Sequence, residues 1–455
     1  MKITYRIAAA VIAAMMLLPL VSCGGKPEDT STGPVTAAPD TTTAAPDMAT
    51  VTETETEPET EPVPLEPTAP PTVEGTAAVS SERTIIYGSA EPDSVIRTVI
   101  NGEEESNRCN SCYFYIEVNA AEPSEVSLYA TAPGKAESEK TTVQITPQNE
   151  DKPVFGGRNS RIFYSPTLGF MWGNAADISS LDALSAYICN KTVPEIQKAT
   201  GKETKIIYAI IPDPATAYKS EQRQYIADAL PYNFTSAMES FVSKIDGCHK
   251  DVYALDLLSV MRAHLDDRIY FSTDTHYTEF GAYYAYLEIM KTVRKSYPDA
   301  KVRTVEDGDY TVEYIDVNGG DLCGMVGLAM REVVPFFIAN FEDTGTYYVS
   351  KRNDGIKSAG FGPSNWTRNS SLKESSNPTV YFLGDSYGCY ILPFIGANFS
   401  KVWTNEGVLW SYGLDKSLLE QNKPDYVILL VCQRNVGPDF TSNVVANFSM
   451  SVAGF

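Results

Sequence analysis

Histidine is almost absent from this chain. There are three in 455 residues, against 58 acidic and 36 basic side chains, and the net charge is −22. Few imidazoles leave few candidates for a side chain that gains and loses a proton near neutral pH. Clusters of lysine and arginine are missing as well. A polyanion has nothing to grip, so nucleic acid is excluded as a partner. Cysteine is sparse, eight in all, and only Cys109 and Cys112 are spaced CxxC. A zinc ribbon needs a second such pair. The pair reads either as a local disulfide or as two free thiols. The apolar run Ile7–Val21 is too short and too one-sided for a permanent membrane span.

What is present begins with an export leader. Lys2 and Arg6 precede that apolar run, and Ser22-Cys23-Gly24 follows it. This is the layout of a secretory signal over residues 1–23. Leu20-Val21-Ser22-Cys23 resembles a bacterial lipobox. The resemblance implies cleavage before Cys23, lipid on its sulfur, and anchoring at the outer face of the cell membrane without a spanning helix. The alternative is a plain signal peptide. Residues 24–75 hold eleven acidic side chains and one basic one, Lys26, among Thr, Pro and Ala. Such a segment has too little apolar surface to offset the entropy of folding, so it is expected to be a disordered linker.

The remaining length suits two units. Residues 76–147 carry short alternating runs (TIIYGSAE, SVIRTVING, CYFYIEVNA, EVSLYATAPG, KTTVQIT) separated by turn residues. That rhythm predicts a small all-β sandwich, and the order of its pieces resembles bacterial immunoglobulin-like repeats. Its expected role is a spacer, with carbohydrate binding as the alternative. From 154 to 455 the texture changes. KIIYAII, DVYALDLL, PTVYFLG and PDYVILLVC are nearly continuous apolar strands, the second spanning Asp251–Leu258. Helical spacing occupies Asp182–Thr200, Ser220–Ile245 and Thr278–Tyr297. Continuous apolar strands alternating with helices predict an α/β domain with a parallel sheet covered on both faces. Ligands of such sheets bind at the carboxyl ends of the strands.

Two motifs fall at such ends. Gly384-Asp385-Ser386 closes the strand VYFLG ahead of a helix, where helix-start amides can stabilise a developing oxyanion. By itself the serine reads equally as a helix N-cap. A serine hydroxyl becomes a nucleophile when a base takes its proton, and a carboxylate then holds the imidazole. Asp274 and His276 supply that pair in FSTDTHYTEF, ahead of a helix with Thr278 as N-cap and Phe280, Tyr283, Leu287 and Met290 as its buried stripe. Alone, the same stretch reads as a capped polar turn. His249 and His264 lie in a surface-like connection and a charged helical run. Asp274 and His276 are also metal-ligand types, but no third ligand clusters with them in the sequence, so no metal is expected.

From Ser400 to Asn435 a strand, a Gly407 loop, a helix and the strand PDYVILLVC follow the serine. This succession resembles the SGNH hydrolases. The resemblance implies a three-layer SGNH-like fold and an oxyanion hole from the Ser386 amide, the Gly407 amide and the Asn435 side chain. The usual Gly-x-Asn-Asp reads Cys432-Gln433-Arg434-Asn435 here. The Asp-x-His precedes the serine, whereas in most of that family it comes last. This order resembles the permuted alginate O-acetyltransferase proteins (AlgX and AlgJ) and DHHW proteins. The carrying motifs are Tyr270-x-x-x-Asp274-x-His276-Tyr277-Thr278, Gly320-Asp321-Leu322, Gly384-Asp385-Ser386 and Ile210–Tyr218. Tyr277, Asp321, Tyr387 and Arg434 are candidate substrate contacts. The resemblance implies O-acetyl transfer to a cell-surface polysaccharide through an acetyl-serine. The acetyl group would come from a membrane-bound O-acyltransferase partner, and no cofactor is needed. Hydrolysis of acetyl esters by the same triad is the first alternative. A non-catalytic glycan-binding or assembly lipoprotein is the second.

Overall fold

The computed structural model describes residues 64–166, 182, 185–229, 234–341, 346–349, 366–369, 377–404 and 416–436. The leader with Cys23, residues 24–63 of the expected linker, and Gly407 lie outside the described residues. Residues Leu65–Phe455 form one compact unit. Among the described residues no helix is long and apolar enough to cross a membrane.

Seven antiparallel strands open the described chain. They are β1 (Thr72–Ala78), β2 (Arg83–Ser89), β3 (Val95–Ile100), β4 (Glu103–Arg108), β5 (Tyr113–Asn119), β6 (Ser124–Thr131) and β7 (Thr141–Ile145). They form sheets ordered β1-β2-β5 and β4-β3-β6-β7. Strand β1 starts at Thr72, inside the segment expected to be linker, because its backbone pairs with β2. The core between the sheets is Ile86, Ile96, Phe114, Ile116, Val126 and Leu128 with their neighbours. A sandwich strand should be buried on one face only. Instead β2 and β5 are buried on both. Their other face, Ile85, Tyr87, Tyr113 and Tyr115, packs on Val154, Ile162, Leu322 and Val326 of the later region. Burying one such large side chain is worth about 1.5–3 kcal/mol, so this second face fastens the sandwich to the rest of the unit.

Polar contacts reinforce that face. Glu117 is buried and accepts hydrogen bonds from the Gly156 amide at 2.8 Å and the Tyr225 hydroxyl at 2.9 Å, with the Arg223 guanidinium 3.6 Å away. Burial pushes its carboxyl up while Arg223 and these donors pull it back. Tyr113 donates to Asp316 at 2.8 Å. Cys109 and Cys112 are free thiols.

A two-stranded ribbon, β8 (Val154–Gly156) and β9 (Ile162–Tyr164), leads into the α/β region. Its strands are β10 (Lys205–Ile211), β11 (Val252–Leu255), the ribbon β12 (Tyr310–Asn318) and β13 (Arg331–Ala339), then β14 (Thr346–Val349), β15 (Trp366–Asn369), β16 (Thr379–Gly384), β17 (Lys401–Thr404) and β18 (Tyr426–Cys432). The main sheet runs β11-β10-β18-β16-β17-β15-β14. Its first five strands are mutually parallel, and β15 and β14 add antiparallel at the edge. Strand β18 is buried at every position and sits between β10 and β16, as an all-apolar run of this kind requires.

Several element boundaries differ from the sequence expectation. Strand β11 stops at Leu255. Asp256 then caps the helix Leu257–Arg262 by accepting from the Ser259 amide at 3.0 Å. The helical stretch before β10 contains a π-turn, Ile188–Thr192, ahead of the α-helix Val193–Thr200. The span 220–245 holds two helices, Gln224–Ala229 and Phe234–Ile245. The helix after the DTH stretch is Glu279–Arg294. It buries Ala282, Tyr283, Tyr286, Ile289, Met290 and Val293, while Phe280 and Leu287 are partly covered. The Thr278 side chain does not cap that helix; its hydroxyl donates to the Arg268 carbonyl at 2.7 Å.

Candidate active site

The parallel strands set out the site. Strand β16 ends at Gly384, and the helix Gly388–Asn398 begins just beyond. A Cβ on Gly384 would sit 2.8 Å from the Phe382 ring, so the tight turn at this strand end has no room for a side chain. Asp385 fixes the turn. Its Oδ1 accepts from the Tyr387 amide at 3.0 Å and its Oδ2 from the Cys432 amide, at the end of β18, at 2.6 Å. Ser386 is left half-buried at the carboxyl edge of the sheet.

The stretch Tyr270–Tyr277 forms a loop closed at its base by a bridge between those two residues. Inside it Asp274 Oδ1 accepts from the His276 amide at 2.9 Å and from His276 Nδ1 at 2.7 Å. On the other side of the ring, His276 Nε2 lies 2.8 Å from Ser386 Oγ. Nδ1 therefore carries the hydrogen given to the carboxylate, and Nε2 is left to accept from the serine hydroxyl. Burial pushes the Asp274 carboxyl up, but the hydrogen bond and charge of His276 outweigh it and hold the group below the usual carboxylate range. The imidazole lies 4.9 Å from the Tyr387 ring and 5.8 Å from Tyr390.

The loop is braced from outside. Glu332, buried on β13, accepts from the Ser272 amide at 2.7 Å, the Thr273 amide at 3.2 Å and the Thr273 hydroxyl. Asp321 accepts from the Thr275 amide at 2.8 Å and the Thr275 hydroxyl at 2.5 Å, and its own amide donates to Asp274 Oδ2 at 3.1 Å. Burial pushes both carboxyls up, and the Asp274 charge adds to this. A Cβ on Gly320 would meet Asp274 Oδ2 at 2.0 Å, which is why glycine precedes Asp321. Arg434 donates to the Thr275 carbonyl at 3.0 Å and to buried Asp213 at 2.7 Å. Removing one partner of such a buried pair costs about 3–5 kcal/mol.

Of the candidate residues, the structure thus brings Asp274, His276 and Ser386 into one hydrogen-bonded chain. Tyr277 and Tyr387 are corrected. Both are fully buried, and their hydroxyls donate to the Tyr387 and Thr275 carbonyls, so they brace the two loops and cannot touch substrate. Asp321 braces as well. Arg434 lines a small, shallow cleft with Tyr164, Asp213, Asp274, Thr275 and Leu322. Arg331 is bound to Asp316 at the surface. Asn435 falls in the short helix Gln433–Val436, but its side chain, like Gly407, lies outside the described residues. His264 instead stacks on Tyr284 at 3.6 Å, and His249 accepts from the Asp251 amide.

The expectation that no third metal-ligand type clusters here is also corrected. One ligand atom each of Asp274, His276 and Asp321 lie within 4.8 Å of one another, because the Gly320-Asp321 turn folds onto the loop. Their oxygens are engaged by the hydrogen bonds above. Glu332, the bracing role of Asp385, and Tyr390 are not apparent in the sequence. Glu332 carries no local signal, being one acidic residue in the strand REVVPFFIA.

Residues 195–397 match the family model described as the SGNH hydrolase-like domain of the acetyltransferase AlgX. Similar solved structures include a DHHW family protein from Eubacterium siraeum, 15% identical over 70% of this chain and 94% of that one, with a TM-score of 0.45. Bacillus cereus PatB1 bearing a sulfonyl adduct is 15% identical over 64% of this chain and 98% of its own, with a TM-score of 0.47. The O-acetyltransferase domain of Pseudomonas putida AlgJ is 16% identical over 62% and 91%, at 0.39. Among proteins with curated descriptions, none matches the chain.

Proposed function

We propose that this chain, whose residues 195–397 match the SGNH hydrolase-like domain model of the acetyltransferase AlgX, transfers acetyl groups to a cell-surface polysaccharide through an acetyl-serine on Ser386. The observation that supports the chemistry is the chain Asp274–His276–Ser386, with contacts of 2.7 and 2.8 Å. In the first half-reaction Ser386 Oγ attacks the acetyl carbonyl of a donor as His276 Nε2 takes the hydroxyl proton. Asp274 stabilises the imidazolium. The tetrahedral oxyanion is met by the Ser386 amide, with the Gly407 amide and Asn435 side chain as the remaining donors. The carbonyl re-forms, His276 returns the proton to the leaving oxygen, and acetyl-Ser386 remains. A sugar hydroxyl then attacks, giving its proton to His276. The tetrahedral intermediate collapses, and the acetate ester leaves on the sugar with the serine regenerated.

The same reading assigns the leader and Cys23 to a lipid anchor and the acidic segment to a stalk. These would hold the enzyme near a membrane-bound acyltransferase that delivers the acetyl group. The test is twofold. A serine-reactive fluorophosphonate should label the wild type and leave Ser386→Ala unlabelled, with acetyl transfer down roughly a thousandfold or more in that variant. A chromogenic acetyl ester should be turned over faster when an oligosaccharide acceptor is added. Turnover indifferent to sugar would mean an esterase. A folded wild type that is never labelled would leave a glycan-binding protein.

A further inference from the structure

Two cysteines outside the site lie against each other. Cys189 sits in the π-turn ahead of the helix Val193–Thr200. Cys248 sits in the turn that joins the helix Phe234–Ile245 to β11, where its amide bonds back to the Ile245 carbonyl at 3.1 Å. Their sulfurs are 3.2 Å apart, and the Cys189 thiol also lies 3.0 Å from the Cys248 carbonyl. Both residues are partly exposed. A disulfide has its sulfurs about 2.05 Å apart, so closure requires the pair to approach by only about 1 Å. We propose that Cys189 and Cys248 are a disulfide-forming pair, oxidised by a protein or low-molecular-weight disulfide.

The step balances as ordinary exchange. One thiol loses its proton and attacks the oxidant disulfide, releasing one thiol and leaving a mixed disulfide. The second protein thiol loses its proton and attacks that bond, releasing the other thiol. Two electrons and two protons leave the cysteines and reduce the oxidant. Burial, with a smaller contribution from the Cys189 sulfur, pushes the Cys248 thiol up to about 12, so little of it is thiolate at neutral pH and uncatalysed closure is slow. Once formed, the bond encloses β10, Asp213 and the helix Pro214–Ala217. Asp213 is the buried carboxylate paired with Arg434, which in turn holds Thr275 beside the triad. The crosslink would constrain the segment that supplies this brace in the unfolded chain.

The experiment uses the full chain incubated with oxidised glutathione at mildly alkaline pH, then alkylated and digested with trypsin without reduction. The tryptic peptide ending at Lys191 should be recovered joined to Ile245–Lys250, lighter by two hydrogens than the separate thiol peptides. The oxidised wild type should also melt higher than its dithiothreitol-treated form, by on the order of 5 °C. Cys248→Ser should show no such shift. Both peptides fully alkylated after oxidation, in protein that still melts cooperatively, would overturn the proposal. So would an equal shift in Cys248→Ser, which would place the bond elsewhere.

Discussion

The nucleophile and its base are held in different ways. Ser386 stands on a turn set directly between a strand and a helix, with one remote tie, Asp385 to the Cys432 amide 47 residues on. Strand β16 delivers it, a helix follows at once, and the adjacent Asp385 ties the turn to the Tyr387 amide and to the amide at the end of the next strand, β18. His276 stands on a loop whose braces arrive from far along the chain. Asp321 is 46 residues from Thr275, Glu332 is 60 from Ser272, and Arg434 is 159 from Thr275. A turn clamped between a buried strand and the start of a helix has few other conformations open to it. A loop set by remote carboxylates is only as fixed as those carboxylates are. Damage to the carboxylate braces should therefore act first on the base, and reach the serine turn only through the Tyr277 and Tyr387 hydroxyls that join the two loops.

The largest break in that comparison should come from Asp274 itself. Asp274→Asn should lower acetyl transfer roughly 10²–10⁴-fold, since the asparagine amide no longer holds Nδ1–H toward a charge. The sign of its pH dependence follows from its depressed pKa. A carboxylate lowered in the folded state stabilises the fold above its unfolded pKa and loses that contribution as pH falls through the folded one. The melting gap between wild type and Asp274→Asn should thus be full at neutral pH and close below about pH 4, the ordinary aspartate range. A gap unchanged across that range would show that Asp274 is not held as a charge. Next comes Gly320→Ala, whose Cβ would meet Asp274 Oδ2 at 2.0 Å. Displacing the carboxylate by a fraction of an ångström should cost roughly a hundredfold in transfer. The variant should melt cooperatively and still expose Ser386 in its turn. Wild-type rates in folded Gly320→Ala would mean the close approach does not matter.

The same contrast decides what could be read in the sequence. The β16 turn is local, so strand, glycine, serine and helix are all visible in PTVYFLGDSYG. The parallel sheet is visible too, because β10, β16 and β18 are continuous apolar runs. Tyr277 and Tyr387 misled as substrate contacts because a tyrosine beside a motif looks the same whether its hydroxyl meets ligand or a buried carbonyl. Glu332 was illegible: its partners are backbone amides brought in by tertiary folding. The doubly buried β2 and β5 were illegible for a related reason. Their alternation predicts a core on one face, and only the fold supplies a second surface for Tyr87, Tyr113 and Tyr115.

Glu332→Gln sharpens the comparison from the side of the braces. The amide keeps the size and one acceptor oxygen but replaces the other with a donor, which meets either the Ser272 amide or the Thr273 amide and hydroxyl. Acetyl transfer should fall roughly tenfold through misplacement of the loop. The KM for the acetyl ester should change little, because Glu332 touches no substrate. A KM change matching the kcat change would place Glu332 at the substrate instead.

The smallest effect should come from the sandwich. Asn110, inside the Cys109–Cys112 turn, donates from Nδ2 to the Ser272 hydroxyl at 2.8 Å. It is a direct polar link from the sandwich to the base loop, and Ser272 is also held through its amide by Glu332. One hydrogen bond of this kind contributes about 0.5–1.5 kcal/mol. With the Glu332 brace intact, Asn110→Ala should therefore change transfer by no more than about threefold. In a Glu332→Gln background the loop has lost its stronger hold, and the same substitution should cost more than it does alone. A double-mutant cycle in acetyl transfer reads this directly. Strict additivity would mean that the sandwich contacts the base loop without helping to position it.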